Sequence, residues 1–383
     1  MITLVKDTID NNDIDRLVDW LKTYPRLTKG LVTLELEEKY SKWLGRKYSI
    51  FCNSGSSANL LMLSVLQQGE YLKNNKIIVP SVAWSTDLSP VMQLGLEPIL
   101  CDSNKRDLST DLTHLEHLFQ MHSPAAIMFV SVLGLVPEME KVMNLCKKYD
   151  VILLEDTCES MGSEYRDKKL GTFGLMASFS TFFGHHISTI EGGFVSTDDK
   201  DLYDLLLSIR AHGWARDLDT EKQIELQQDW DVSTFNSLYT FYYQGFNVRA
   251  TDLQAYIGLT QIDKLDEWGI KRETNYLKYQ ELIKNDYWKP VEELNDFTSN
   301  FAYPIIHPNR AEIVEKLEVN AVEVRPMICG SMGTQPFYVK EYGRLELPNV
   351  SEIDEYGFYV PNNPHLTDGE IKLICNIVNE YTS

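Results

Sequence analysis

Short, wholly apolar runs alternate along the first two thirds of the chain with longer stretches of mixed polarity. Ile77-Ile78-Val79, Ala126 to Val130 and Val151 to Leu154 contain no polar residue, the pattern of strands covered on both faces. Between the last two, Glu138 to Tyr149 has helical spacing, so the order predicts a parallel sheet with helical crossovers. Tyr48 to Cys52 reads as a further strand, Phe194 to Thr197 as another. From Ala250 to Trp268, Leu253, Ile257, Leu259 and Leu265 predict one long helix leading into a smaller α+β lobe that ends near Tyr381. Repeats, low-complexity tracts and Gly/Ser linkers are missing, which predicts two lobes packed together rather than tethered.

A length of 383 residues agrees with two lobes. Apolar residues at 43% and charged residues at 24% are globular proportions. Thirty-six basic against 56 acidic residues give a net charge of -20, which argues against nucleic acid and anionic membrane as partners. Apolar runs stay short of the roughly 20 residues of a membrane span, and Met1 to Asp7 lacks the plan of a signal peptide. The expectation is a cytoplasmic chain whose partners are small molecules or copies of itself. The six cysteines, Cys52, Cys101, Cys146, Cys158, Cys329 and Cys375, show no C-x-x-C spacing, which argues against a zinc or iron–sulfur framework and for reduced, mostly buried thiols.

Three stretches carry candidate chemistry. After Tyr48 to Cys52, the small residues Asn53-Ser54-Gly55-Ser56-Ser57-Ala58-Asn59 open a helix whose buried face is Leu60, Leu61, Leu63 and Leu66. Such a turn offers free N–H groups to a phosphate, or is simply a serine-capped helix start. The strand Val151 to Leu154 runs into Glu155-Asp156-Thr157-Cys158-Glu159, at the end of a strand where α/β sheets keep their ligands. An aspartate there would hold a protonated ring nitrogen, a metal or a ribose, or cap the next helix. Finally, His185-His186 lies among Phe182, Phe183 and Gly184 and ahead of Glu191-Gly192-Gly193; the readings are proton transfer, packed or surface histidines, or metal binding, the last disfavoured because adjacent side chains do not ordinarily converge on one ion.

Taken in order, Ser54-Gly55-Ser56-Ser57-Ala58, Val79-Pro80-Ser81-Val82-Ala83-Trp84, Glu155 to Gly162, Ser178-Phe179-Ser180 to Glu191-Gly192-Gly193, and Gly245-Phe246-Asn247-Val248-Arg249 to Gln254-Ala255 resemble the nucleotide-sugar aminotransferase family of pyridoxal-phosphate proteins. The resemblance covers nearly the whole chain, including Leu27-Thr28-Lys29-Gly30. It implies the α/β aspartate-aminotransferase fold (PLP fold type I), with an N-terminal arm at 1–30, a large PLP-binding domain at 31–262 holding a mixed seven-stranded sheet, and a small α+β C-terminal domain at 263–383. It also implies a homodimer with shared active sites. Carried over by residue, Gly55 and Ser56 match the phosphate cradle and Ser180 its hydroxyl. Trp84 matches the aromatic on the pyridine ring, Asp156 the carboxylate on the ring nitrogen, and Glu159 the position near the ring hydroxyl. Asn247 matches the residue that the neighbouring subunit lends to the phosphate.

The family's transaminating members place the cofactor-bearing lysine six residues before Glu-Gly-Gly, and here that position is His185. The nearest lysines, Lys168, Lys169 and Lys200, fall outside the motif. A histidine there resembles the 3-dehydratase branch of the family, in particular its self-contained GDP-4-keto-6-deoxymannose type, because the cysteines offer no cluster site: Cys146 and Cys158 are twelve positions apart and the rest scattered. The resemblance then implies pyridoxal 5'-phosphate cycling through pyridoxamine 5'-phosphate with L-glutamate as amino donor, no iron–sulfur cluster, and His185 as the base that lets the sugar's 3-hydroxyl leave. The substrate would be a GDP-linked 4-keto-6-deoxyhexose or 6-deoxyheptose, the product a 3-deoxy-4-keto sugar for surface polysaccharide. The rival readings are a nucleotide-sugar 4-aminotransferase and a non-catalytic PLP-binding regulator. Arg325, beside a Gly330-Ser331-Met332-Gly333 turn that reads as mobile, would fork onto a carboxylate or phosphate or form a surface ion pair; His212 and Trp214 would line the sugar entrance or pack in the core.

Overall fold

The computed structural model describes residues 1–291 and 296–381; positions 292–295, 382 and 383 of the expected C-terminal domain lie outside the described residues. Among the described residues there are twelve strands: β1 Tyr48–Cys52, β2 Lys76–Pro80, β3 Glu97–Cys101, β4 Ala126–Val130, β5 Ile152–Asp156, β6 Glu164–Tyr165, β7 Lys168–Lys169, β8 Met176–Ser180, β9 Gly193–Thr197, β10 Ala302–Ile306, β11 Arg325–Pro326 and β12 Gly357–Pro361. Seven form one mixed sheet in the order β1-β9-β8-β5-β4-β2-β3, the sheet that the resemblance implied. Its pairings from β8 to β3 are parallel, and β9 is antiparallel to both neighbours. A second sheet has the order β10-β12-β11, and β6 and β7 form a hairpin.

Strand alternation assigns the two faces of the large sheet. Ile77, Val79, Met128 and Leu154 share a core with Leu61, Met62 and Val65 of the helix Gly55–Gln68. Ile78, Ile127, Phe129 and Leu153 share another with Leu115, Phe119, Met139 and Val142 from the helices Leu112–His122 and Met139–Tyr149. Helices on both faces explain why these strands read as unbroken apolar runs. The cysteines are unpaired; Cys52, Cys101, Cys146 and Cys375 are buried and Cys158 and Cys329 partly so.

Two local expectations need correction. The stretch from Ala250 to Trp268 is not one helix: Asp252–Ile262 ends and Leu265–Leu282 begins across Asp263 and Lys264. At that break Gln261 donates to Asp13 at 2.8 Å, and Lys264 reaches Asp10 and Asp13, both at 2.7 Å. The polar side chains there are committed to the N-terminal helix Asn11–Leu21, which supplies the structural reason for the kink. The Gly330–Gly333 turn is packed rather than loose, with Ser331 and Met332 buried and the Met332 amide bonded to the Ser81 carbonyl at 2.9 Å.

Candidate active site

The carboxyl ends of β1, β5 and β8 lie on one edge of the sheet, and a cavity of about 440 Å³ opens there. Its lining includes Ser54, Gly55, Ser56, Trp84, Asp156, Glu159, Ser180, His185 and Arg325. Eight of the predicted site residues thus meet in one place, although they span residues 55 to 325.

Ser54 caps the helix Gly55–Gln68, its hydroxyl accepting from the Ser57 amide at 3.1 Å. The cap leaves the Gly55 and Ser56 amides at the positive end of the helix, open to an anion. A Cβ on Gly55 would stand 2.8 Å from both Cys158 Sγ and Ser180 Cβ, so only glycine keeps this concavity. Ser180 is buried, and its hydroxyl accepts from the Phe182 amide at 3.3 Å.

Alternation along β5 sends its two terminal carboxylates apart. Glu155 accepts from the amides of Gly171, Phe173 and Gly174 at 2.6–2.7 Å and staples that loop. Asp156 faces the cavity, taking Asn59 Nδ2 at 2.6 Å and the Cys158 amide at 2.8 Å. Asn59 also reaches Asp87 at 3.3 Å, and Asp87 in turn accepts from the Trp84 amide at 3.0 Å. Burial, then the nearby Asp156 charge, holds the Asp87 carboxyl well above the usual range. Glu159 accepts from the Leu133 amide at 3.0 Å, and burial pushes it up to about 7, outweighing that bond. Trp84 exposes 57% of its surface over the cavity.

His185 follows β8 in a turn closed by its amide on the Phe182 carbonyl at 2.9 Å. Its ring lies 5.4 Å from Phe301 and 6.0 Å from Phe182, and its Nδ1 has no hydrogen-bond partner. Burial lowers its pKa to about 4 against the opposing pull of Asp156, so the imidazole is neutral at pH 7. His186 turns away, its ring bonded to the Ser299 carbonyl at 2.8 Å. Among the described residues, no lysine lines the cavity. Lys169 pairs with Glu164, Lys168 lies over the Phe173 ring, and Lys200 pairs with Asp204 and Asp219.

Arg325 lies at the rim, bonded to Glu323 at 2.5 Å. Asn247 and His212 do not line this cavity. Asn247 accepts from Arg249 at 3.1 Å, and His212 packs on Trp214 at 4.8 Å, with Arg249 at 3.4 Å. Sequence reasoning missed Asn59, Asp87, Leu4, Val5, Phe301, Glu323 and Tyr359, all in the lining. Asn59, one helical turn beyond Gly55, carried the one readable signal.

Sheet order and cavity define an α/β enzyme of the aspartate-aminotransferase type. The chain belongs to the DegT/DnrJ/EryC1/StrS aminotransferase family, whose model matches residues 7–379. A GDP-4-keto-6-deoxy-D-mannose 3-dehydratase of Yersinia pseudotuberculosis is 33% identical over 385 residues, covering 98% of this chain and 96% of that protein. Among solved structures, the E. coli GDP-4-keto-6-deoxy-D-mannose-3-dehydratase with bound hydrated PLP superposes with a TM-score of 0.89 at 30% identity, covering 99% of each chain. A GDP-4-keto-6-deoxymannose-3-dehydratase with a trapped PLP–glutamate geminal diamine gives 0.88 at 30% identity, covering 99% of this chain and all of that one.

Proposed function

We propose that this chain is a PLP-dependent, glutamate-fed 3-dehydratase of a GDP-linked 4-keto-6-deoxysugar. The observation that carries the reading is His185: a half-buried, neutral base stands where a transaminating relative needs a lysine, in a cavity with no lysine in its described lining.

The residues present fit the cofactor. The Gly55 concavity and the Ser180 hydroxyl suit a phosphate without any positive side chain, so the -20 net charge does not oppose binding. Asp156, Asp87 and Glu159 gather three carboxyl groups on one wall, which suits a cationic ring N–H at Asp156. Trp84 is exposed for stacking, and Glu159 is placed for the ring hydroxyl. When bound, the pyridinium ring withdraws electrons from a carbon attached to a substrate-derived nitrogen. Asp156 holds the ring proton that makes this possible. His185 would take the proton from the C4′ carbon that the ring activates, and the electron pair left behind would expel the 3-hydroxyl; Phe182 and Phe301 flank the base. Arg325 is the basic group available to a glutamate carboxylate or a nucleotide phosphate.

Two further elements of the reading rest on the chain's surface and thiols. Asn247 and His212 contribute to a partner's cavity in a homodimer, which accounts for their place outside their own. Unpaired cysteines suit a reducing cytoplasm; no helix among the described residues is long and apolar enough to cross a membrane.

One incubation tests the reading. Protein, pyridoxal phosphate, glutamate and GDP-4-keto-6-deoxymannose are expected to yield a 3-deoxy sugar by NMR. A stable 4-amino sugar would make the chain an aminotransferase, and no change in cofactor absorbance with glutamate would make it a silent binder.

A further inference from the structure

The helix Leu265–Leu282 carries a buried cation, Arg272. Among the described residues it has no carboxylate partner; its Nη1 donates instead to three backbone carbonyls, those of Asn362 at 2.8 Å, Phe301 at 3.0 Å and Asn300 at 3.3 Å, and its Nε has no partner. The buried Asn362 shows that such bonds need no charge. Its side-chain amide donates to the Asn300 and Arg272 carbonyls, both at 3.1 Å. Burying an always-charged guanidinium without an acid is costly where neutral donors serve as well, so the charge has a use beyond holding carbonyls.

The segment that Arg272 holds is the one that faces the base. The Ser299 carbonyl accepts from His186 at 2.8 Å, and the Phe301 ring lies 5.4 Å from the His185 ring and 6.1 Å from that of His186. The same segment grips the turn at Leu133, whose carbonyl accepts from the Phe301 amide at 2.9 Å and from Asn300 Nδ2 at 2.7 Å while its amide holds Glu159. Two charges act on His185: Asp156 at the end of β5 favours a proton there, and Arg272 opposes one. Arg272 and His185 likewise oppose a proton on His186. Phe182 and Phe301 bring rings without charge. The remaining titratable groups of the cavity lining are Asp87, Cys158, Glu159, Glu191, Glu323, Arg325 and Tyr359, and none of them is bonded to Arg272.

Resting on the dehydratase reading, we infer that Arg272 is a positioning residue for the base: it fixes the 299–301 segment against His185 and His186, and its charge counters the pull of Asp156 so that His185 rests unprotonated.

Two neutral variants test the charge. Arg272→Gln keeps amide donors for the carbonyls, and Arg272→Met keeps much of the volume; Arg272→Lys keeps the charge. The first readout is the histidine ring signal that His185→Asn removes, followed by NMR against pH in cofactor-free protein. Both neutral variants are expected to move its midpoint upward by about one pH unit, and Arg272→Lys to leave it in place. The second readout is kcat for GDP-4-keto-6-deoxymannose in the holoenzyme, whose fall on the acid side is expected to move with that midpoint. A midpoint that stays put in a folded neutral variant, or moves equally in Arg272→Lys, overturns the inference. Failure of both neutral variants to fold does so too, since Arg272 is then a structural anchor. A parent that leaves the sugar intact while the midpoints shift as expected overturns the dehydratase reading and leaves the link between Arg272 and His185 standing.

Discussion

Burial pushes His185 down to about 4 and Glu159 up to about 7, so the same loss of water favours the uncharged form of both. For His185 this means an imidazole ready to accept a proton. His185→Asn is expected to lower the dehydration rate by about 10²- to 10⁴-fold, the usual weight of a positioned base, and His185→Lys to suppress dehydration while fixing the cofactor to the protein after borohydride reduction. If the lysine variant dehydrates as fast as the parent, the base is another group. For Glu159 the consequence is a pH-dependent stability. Between its ordinary value of 4.5 and about 7, the folded chain keeps a proton that the unfolded chain has released. Stability therefore falls as pH rises through that window, by at most about 3 kcal/mol. Glu159→Gln is expected to level this slope in cofactor-free protein, measured as urea midpoints at pH 5 and pH 8. An unchanged slope would locate the buried proton on Asp87 instead, whose carboxyl burial holds well above the usual range.

At the scale of elements, the site is made where separate strand ends meet the start of one helix. Gly55 is a tight point of that junction, and its substitution tests the cradle directly. Gly55→Ala forces a methyl against Cys158 and Ser180, an overpacking that costs about 1–3 kcal/mol. If the bound state bears that cost, pyridoxal phosphate affinity falls about tenfold or more, as read by absorbance titration; unaltered affinity would show that the phosphate sits elsewhere. The same junction shows what the chain's pattern could and could not disclose. Ala126–Val130 was legible as a strand because helices cover both its faces, and Asp156, Ser180 and His185 because short local motifs surround them. The helix break at Asp263–Lys264 was illegible because its cause lies at Asp10 and Asp13, some 250 positions away. Asp87 hid for a related reason. Locally it reads as the acidic residue of a first helical turn, and only the meeting of Asn59 with β5 places it beside Asp156. Leu4 and Val5 enter the site through pairing with the chain near residue 322, a register that no local period records.

On the scale of the whole molecule, one chain leaves conspicuous apolar surface uncovered. Trp230, Phe235, Leu238, Tyr239 and Phe241 are each at least half exposed within a dozen residues, a concentration that marks an interaction surface. The segment leads toward Asn247, which lies outside its own chain's cavity. Both facts follow if a second copy covers this surface and receives Asn247 in its cofactor site. A dimer of that kind makes a prediction that a monomer, or a dimer with separate sites, cannot meet. His185→Asn and Asn247→Ala are each expected to be strongly impaired alone. When the two variants are unfolded together and refolded as a mixture, half of the dimers are mixed. Each mixed dimer then holds one site with both residues intact and one with neither. Activity is expected to recover to about a quarter of the parent's, the share set by twofold symmetry and random pairing. Recovery no greater than the average of the two variants would place Asn247 and His185 in unconnected roles, and size-exclusion chromatography of Phe235→Asp would then decide whether the apolar surface pairs copies at all.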